Sequence, residues 1–191
     1  GAGALIVAQQ ETDQALYVVF LGRVRASLFG ENGRELTLAT MGRGDFFGEV
    51  SLLDDKPRSA NVVALEDAVL LSLDRQAFGQ HIDKHPRTIV ALAHAMADRL
   101  RTSKQVIANL ALYDVNTRLK RTLLALAAES GEVHAEGVML RARPTQQELA
   151  NMVGTCRETV SRTLSAMARR GLVVSRGRSL LLRQVMMDRA A

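Results

Sequence analysis

The chain has a single cysteine, Cys156. It can form no internal disulfide, which fits the reducing cytoplasm and excludes a disulfide-stapled secreted scaffold. The four histidines, His81, His85, His94 and His134, are scattered. His81 and His85 are spaced to share a helix face, but no third ligand accompanies them, so a surface or capping role is expected and no metal. No apolar run reaches the ~20 residues that a membrane-spanning helix needs, so no membrane association is expected. No signal peptide is visible. The chain opens without Met on the strand-like "GAGALIV", so an N-terminal piece is expected to precede it, which leaves targeting open. There is no internal repeat or low-complexity tract. No nucleophile–base pair, metal cluster or Walker loop stands out, so neither an enzyme nor a bound catalytic cofactor is expected.

What is present begins with a core. The 191 residues suit one large domain or two small ones, and 47% of them are hydrophobic. Charge is unevenly placed. Through residue 114 there are 12 Lys and Arg against 14 Asp and Glu, a net of −2; from 115 onward there are 13 against 6, a net of +7. A basic C-terminal part is what a polyanion-binding module carries, although solvated faces are often basic too.

Three segments follow from patterning. To about residue 74 the chain reads as short strands. "ALYVVFLGRVRASLFGENGRELTLATM" is broken at Gly22 and at 31–33, where Asn32-Gly33 is a hairpin signal, and "SANVVAL" and "AVLLSLD" supply two more strands. A sandwich or small barrel is expected. From about 87 to 112, just after His85-Pro86, no Gly or Pro interrupts a helical pattern. Ala93, Met96, Leu100, Ser103, Ile107 and Leu110 fall on a heptad seam. The seam can pack on its own β domain or on a second copy, and the narrow stripe favours the dimer. Ser103 is the polar exception. It can bond a carbonyl of its own helix, set specificity in the seam, or face a ligand. Asp114 is positioned to cap a further helix, "VNTRLKRTLLALAAE", with a hinge at Tyr113-Asp114. A loop over 131–137 and a strand at "VMLRA" come next.

The remaining stretch carries the most specific pattern. Thr145-Gln-Gln-Glu148 and Thr155-Cys-Arg-Glu158 both have the form of capping boxes. Two helix starts this close, with Ala150, Gly154 and Val160 at the contact, turn and docking positions, spell a helix-turn-helix. Leu149, Val153, Leu164 and Met167 complete its buried face. Arg157, Glu158, Ser161 and Arg162 then project from the second helix. Arg can fork onto guanine and Glu can accept from cytosine. The alternative is an exposed face with a Glu158–Arg162 ion pair, which explains the charges and not the turn spacing. Thr145, Gln147 and Thr155, at the two helix starts, are further candidate DNA contacts. "LVVSRGRSLLL" reads as a hairpin wing with Arg176 and Arg178 at its tip, placed for phosphates. Cys156 lies in the first turn of the second helix and reads as a small packed or DNA-facing residue.

"FFGEVSLLDDKPRSA" poses a choice. Glu49 and Arg58 form either a surface ion pair or two walls of a site for a small anion. In the second reading Arg58 pairs with a phosphate and Glu49 accepts from a ribose hydroxyl. Gly48 permits close approach, the turn through Glu49 and Val50 offers N–H groups, and Ser59 adds a hydroxyl. On spacing alone both readings stand.

These residues resemble those of the Crp/Fnr family of bacterial transcription regulators, and within it the catabolite activators, over essentially the whole chain. "GDFFGEVSLLDDKPRSA" is similar to the family's phosphate-binding cassette, "NLALYDVNTRLKRTLLALA" to its hinge and following helix, and "GTCRETVSRTL" to its recognition helix. The resemblance implies an α+β fold. A cyclic-nucleotide-binding, jelly-roll-like β-roll would span 1–86, a dimerising central helix and hinge 87–113, and a winged helix-turn-helix 114–191. It implies a cytoplasmic homodimer controlled by a cyclic nucleotide, cyclic AMP foremost, that binds double-stranded DNA at pseudo-palindromic TGTGA-like half-sites. Gly48, Glu49, Arg58 and Ser59 match the ribose and phosphate contacts, Arg99 and Ser103 match central-helix positions near the nucleotide, and Arg157, Glu158 and Arg162 match the base readers. Where the family places a second hydroxyl after the Ser103 position, this chain has Lys104. The 131–137 loop resembles the activators' RNA polymerase contact. The alternatives are a Crp-like regulator answering to cyclic GMP, cyclic di-GMP or no ligand and, from another class, the cyclic-nucleotide-binding subunit of an enzyme.

Overall fold

The computed structural model describes residues 1–31, 33–141 and 143–188. The chain divides into two compact units, the first ending at Val106 and the second beginning at Ile107.

The first unit holds the strands. β1 (Leu5–Val7), β2 (Ala15–Leu21), β3 (Val24–Phe29), β4 (Glu35–Met41), β5 (Phe46–Phe47), β6 (Asn61–Ala64) and β7 (Val69–Asp74) form two antiparallel sheets, ordered β1-β6-β3-β4 and β5-β2-β7. Alternation assigns the faces. Val7, Val19, Val24, Met41, Phe47 and Val62 point between the sheets and form one core, each such side chain stabilising by roughly 1.5–3 kcal/mol. Leu16, Phe46 and Leu73 lie on the other face of the smaller sheet. They pack on Leu52 of α1 (Glu49–Asp54), Phe78 of α2 (Arg75–Lys84) and Leu92 of α3 (Arg87–Leu112).

The sandwich expected from alternation is therefore formed. The β3–β4 hairpin closes where the turn signal lies, with Gly33 N–H donating to Gly30 O at 2.9 Å; Asn32 itself is outside the described residues. α2 had no counterpart in the sequence reading. It starts because the Asp74 carboxylate accepts from Ala77 N–H at 2.7 Å. His85 caps its C-terminus, and His81 lies 3.0 Å from the Thr88 hydroxyl, so both histidines are structural. α3 has the span its lack of Gly and Pro predicts.

The second unit comprises α4 (Val115–Ser130), β8 (Glu132–His134), β9 (Gly137–Leu140), α5 (Gln146–Val153), α6 (Arg157–Arg169), β10 (Val173–Arg176), β11 (Ser179–Arg183) and α7 (Gln184–Asp188). Asp114 caps α4 as expected, accepting from Thr117 N–H at 2.8 Å. The segment read as a loop over 131–137 is instead a hairpin, with β8 paired to β9 at the edge of a sheet ordered β10-β11-β9-β8. Leu119, Leu123, Leu149, Val160, Met167 and Leu180 are fully or almost fully buried and weld α4, α5, α6 and the sheet together.

Candidate functional site

In the first unit a cavity of about 300 Å³ opens against the loop from β5 to β6. Its walls include apolar side chains of both sheets, Leu38, Met41, Phe47 and Val62 among them, and polar residues from three places: Glu49 from α1, Arg58 and Ser59 from the loop before β6, and Arg99, Thr102 and Ser103 from α3.

Local backbone chemistry sets this arrangement. Gly48 precedes α1 at φ 87° and ψ 0°, a left-handed conformation that a side chain resists. A Cβ there would come within 2.5 Å of both Ala15 O and Arg58 Nη1. The turn thus needs glycine both for its φ and for room. Glu49 opens α1, whose first turn receives no side-chain cap. The Arg58 stretch is held by backbone bonds to the segment before β2, Arg58 N–H to Glu11 O at 2.8 Å and Gln10 N–H to Arg58 O at 2.9 Å.

Glu49 and Arg58 are each only 2% exposed, and they do not pair with each other. The surface ion pair entertained from the sequence is overturned. Arg58 Nη1 donates to Gly48 O at 2.9 Å and to Ser51 Oγ at 3.0 Å, and Nη2 to Asp13 Oδ2 at 2.7 Å and Ala15 O at 2.9 Å. The hydrogen bond from Arg58 holds the Asp13 carboxyl below its ordinary range. Burial foremost, then the bond its hydroxyl donates to Asp13, pushes the Tyr17 phenol upward. Glu49 Oε1 accepts from Arg99 Nη1, while Arg99 Nη2 donates to Phe46 O and the guanidinium lies over the Phe46 ring, 4.6 Å from its centroid.

Two buried polar atoms of residues that line this cavity, Glu49 Oε2 and Arg58 Nε, have no partner, and both are shielded from solvent. Buried polar groups are nearly always satisfied, and an unmet one costs about 1–3 kcal/mol. A carboxylate and a guanidinium, beside an apolar wall and the hydroxyl-bearing Ser59, Thr102 and Ser103, suit a small ligand that has a hydroxyl, an anionic oxygen and a flat apolar part. Both Nη groups of Arg58 are already engaged. Ser103 makes no hydrogen bond to its own helix; Thr102 does, to Asp98 O at 3.1 Å.

In the second unit α5 and α6 meet at a tight turn. Gly154, at φ 68°, ψ 50°, ends α5 in the left-handed conformation. Ala150 and Val160 are fully buried where the helices touch and dock. The first capping box forms in both directions: Glu148 N–H donates to Thr145 Oγ1 at 3.2 Å and Thr145 N–H to Glu148 Oε2 at 2.7 Å. The second does not form. Thr155 is drawn into the turn, its N–H reaching Ala150 O at 3.0 Å, and Cys156 takes the cap position with no side-chain cap bond. Its thiol lies 3.1 Å from the Thr159 hydroxyl. Glu158, freed from capping Thr155, has its pKa lowered, first by its own backbone N–H and then by the Cys156 side chain. Arg157, Glu158 and Arg162 are exposed on α6 and Ser161 is half-buried; Arg162 donates to Thr159 Oγ1 at 3.3 Å in place of an ion pair with Glu158. Gln147 gives its amide to Asn151. The β10–β11 hairpin is the expected wing, with Arg178 exposed at its turn and Arg176 paired to Glu136 at 3.4 Å.

Comparison with known proteins converges on the same two places. The cyclic nucleotide-binding domain family matches residues 1–85 and the Crp-like helix-turn-helix domain family matches residues 117–187. The CRP-like cAMP-activated global transcriptional regulator of Mycobacterium tuberculosis is 33% identical over 180 residues, covering 94% of this chain and 80% of that protein. The chain belongs to the Crp family of transcription regulators. A second member, the cyclic AMP receptor protein of Thermus thermophilus, is 39% identical over 171 residues, covering 90% of this chain and 76% of that one. Among solved structures, the c-di-GMP responsive global regulator CLP of Xanthomonas campestris superposes with a TM-score of 0.85 at 27% identity, covering 95% of this chain and 90% of that chain. The Crp family is one of regulators, not enzymes, which removes the enzyme-subunit alternative. Among the described residues no helix is long and apolar enough to cross a membrane, and no cluster of His, Cys, Asp and Glu could hold a metal.

For this Crp-family chain, Gly48, Glu49, Val50, Arg58, Ser59, Arg99 and Ser103 all line one cavity, whereas Lys104 does not. Sequence reasoning missed Asp13 and Ser51, whereas Thr102 was noted only as a hydroxyl beside Ser103. Ser51 was within reach, since it lies one helical step from Gly48. The seam residues Leu100 (58%) and Ile107 (65%) are exposed along α3 with Ala93, Ser103 and Leu110, while Met96 is half-buried and Leu92 is the side chain that packs on the chain's own sheet.

Proposed function

We propose that this chain is a cytoplasmic, homodimeric regulator whose binding to pseudo-palindromic DNA is controlled by a cyclic nucleotide, cyclic AMP, held in the cavity of the first unit. The observation that carries this reading is the gathering of Glu49, Arg58, Ser59, Arg99 and Ser103 on the walls of one cavity. A cyclic nucleotide supplies a ribose 2′-hydroxyl for the Glu49 carboxylate and a phosphate oxygen for the Arg58 guanidinium, each side chain shifting to present the atom that it uses. Its base has Leu38 and Met41 to lie against, with Thr102 and Ser103 supplying hydroxyls. The apolar stripe on α3 supports pairing with a second copy. Two α6 helices then enter successive major grooves about one helical turn apart, on TGTGA-like half-sites. Arg157, Glu158, Ser161 and Arg162 read base edges, and Thr145, Gln147, Thr155, Arg176 and Arg178 are the candidate positioning contacts. The β8–β9 hairpin is the surface on which RNA polymerase contact is proposed.

A second reading, cyclic di-GMP as effector, draws support from the likeness to a regulator described as c-di-GMP responsive. The cavity of about 300 Å³ lies at the small end for ligand sites, which favours a mononucleotide. Calorimetry against cyclic AMP, cyclic GMP and cyclic di-GMP at one ionic strength tests the assignment. The expected result is tightest binding of cyclic AMP, lost in Arg58→Ala with the fold retained. Unchanged affinity in that variant removes the cavity assignment.

A further inference from the structure

We infer that Arg118, on α4, is the positioning residue that ties the end of α3 to the recognition helix α6. The inference rests on the proposal that effector binding alters α3. Three main-chain carbonyls from two distant places converge on this guanidinium. Nη1 donates to Leu110 O at 3.4 Å and to Tyr113 O at 3.1 Å, and Nη2 donates to Gly154 O at 3.5 Å. Leu110 O is one of the last four carbonyls of α3, which no intrahelical N–H can reach. α3 has no basic residue in its own last turn, so the cation that its C-terminal dipole favours comes from the following helix. Gly154 is the left-handed residue that ends α5 and sets the path into Cys156 and α6. One side chain therefore holds both the hinge that α3 runs into and the turn that aims α6.

Two further observations separate this from routine capping. Arg118 Nε is buried without a partner, so the guanidinium is held by these carbonyls, by packing and by the charge of Asp114, whose pKa is lowered first by the Thr117 N–H and also by Arg118. Arg121, one turn further along α4, lies over the Tyr113 ring, 4.6 Å from its centroid. The same hinge residue is thus gripped at its carbonyl by Arg118 and at its ring by Arg121. A change in the backbone at Tyr113 alters the donor geometry at Nη1, and the planar fork passes this to Nη2 and Gly154. A lysine offers one ammonium on a flexible stem and cannot hold both groups in a fixed relation.

The test compares Arg118→Met and Arg118→Lys with the wild-type chain, measuring affinity for a pseudo-palindromic duplex with and without saturating cyclic AMP at fixed salt. Amide hydrogen exchange over Thr155–Thr159 is followed in the same samples. The expected result is that the ratio of the two DNA affinities falls from the ~5–150-fold of ordinary allosteric coupling to about 1 in Arg118→Met and stays well below wild type in Arg118→Lys. Cyclic AMP affinity of the DNA-free protein is retained, and exchange at Thr155–Thr159 quickens. A purely structural role lowers both DNA affinities equally and leaves their ratio intact, which overturns the inference. Should Arg118→Met not fold, the Arg118→Lys ratio decides. A wild-type chain that shows no response to cyclic AMP refutes the proposed function instead. Arg118 is then judged on exchange alone, with unchanged exchange in the folded variant overturning its role.

Discussion

Arg58 reaches back 45 residues to the carboxylate of Asp13, Nη2 to Oδ2 at 2.7 Å, and this pair anchors the loop before β6. Its sign with pH follows from the lowered pKa of Asp13. A depressed carboxylate adds stability above its unfolded pKa of about 4 and loses it as pH falls through the lower folded value. Urea unfolding between pH 2 and pH 7 is therefore expected to show Asp13→Asn less stable than wild type near neutrality. The gap should close as the solution is acidified below about pH 4. A gap that does not vary with pH contradicts the pairing. Because Asp13 is half exposed, solvent screening keeps the effect small.

Gly48→Ala places a Cβ 2.5 Å from Ala15 O and Arg58 Nη1 at φ 87°. The strain and the displaced guanidinium are expected to cost about 1–3 kcal/mol and to weaken effector binding as well. Denaturation together with calorimetry checks both effects. Full stability in this variant means that the turn can relax.

Glu49 is buried and Arg99, 39% exposed, is its cation. Arg99→Met leaves a buried carboxylate with neither oxygen satisfied, an expected loss of about 1–3 kcal/mol in the effector-free protein. Glu49→Gln removes the charge and keeps the shape. Its expected signature is weaker nucleotide binding with a smaller change in stability, so the two variants separate fold from ligand recognition.

On DNA, Arg162→Ala is expected to relax preference at one guanine by about 1–3 kcal/mol, whereas Arg178→Ala is expected to weaken all sequences alike and to reduce the salt slope by about 1. Competition binding on single-base variants, repeated at two salt concentrations, tells them apart. Uniform loss with Arg162→Ala makes that residue a phosphate contact.

Leu100 and Ile107 are more than half exposed on the α3 seam. Replacing either with Asp sets like charges against each other across a symmetric helix pair. Sedimentation is expected to show a wild-type dimer and dissociated variants. A wild-type monomer at working concentration ends the seam argument.

Much of this was legible in order along the chain. Residues 87 to 112 lack any helix breaker, and α3 occupies that span. Ala150, Gly154 and Val160 carry a steric requirement for two helices in contact, and burial is complete at Ala150 and Val160. What escaped is tertiary or weakly patterned. α2 buries only Phe78 and carries Gly79 inside, so its apolar signal is faint and its Asp74 cap is the better clue. β8 is exposed along its length and exists because β9 offers it an edge. The capping box at Thr155 failed because the left-handed turn at Gly154 needs the Thr155 N–H for Ala150 O. Glu49 and Arg58 were both assigned to the cavity, yet their partners, Arg99 and Asp13, lie 50 and 45 residues away, a distance at which local spacing carries no information.

The central claim is that a nucleotide in the Glu49–Arg58 cavity governs DNA binding by α6. The most direct measurement is the affinity of the full chain for a TGTGA-based pseudo-palindrome at one stated salt concentration, with and without cyclic AMP, alongside Arg58→Ala. The account predicts much tighter binding with cyclic AMP in the wild-type chain and no response in the variant. Equal affinity in the presence and absence of the nucleotide, with binding otherwise intact, contradicts it.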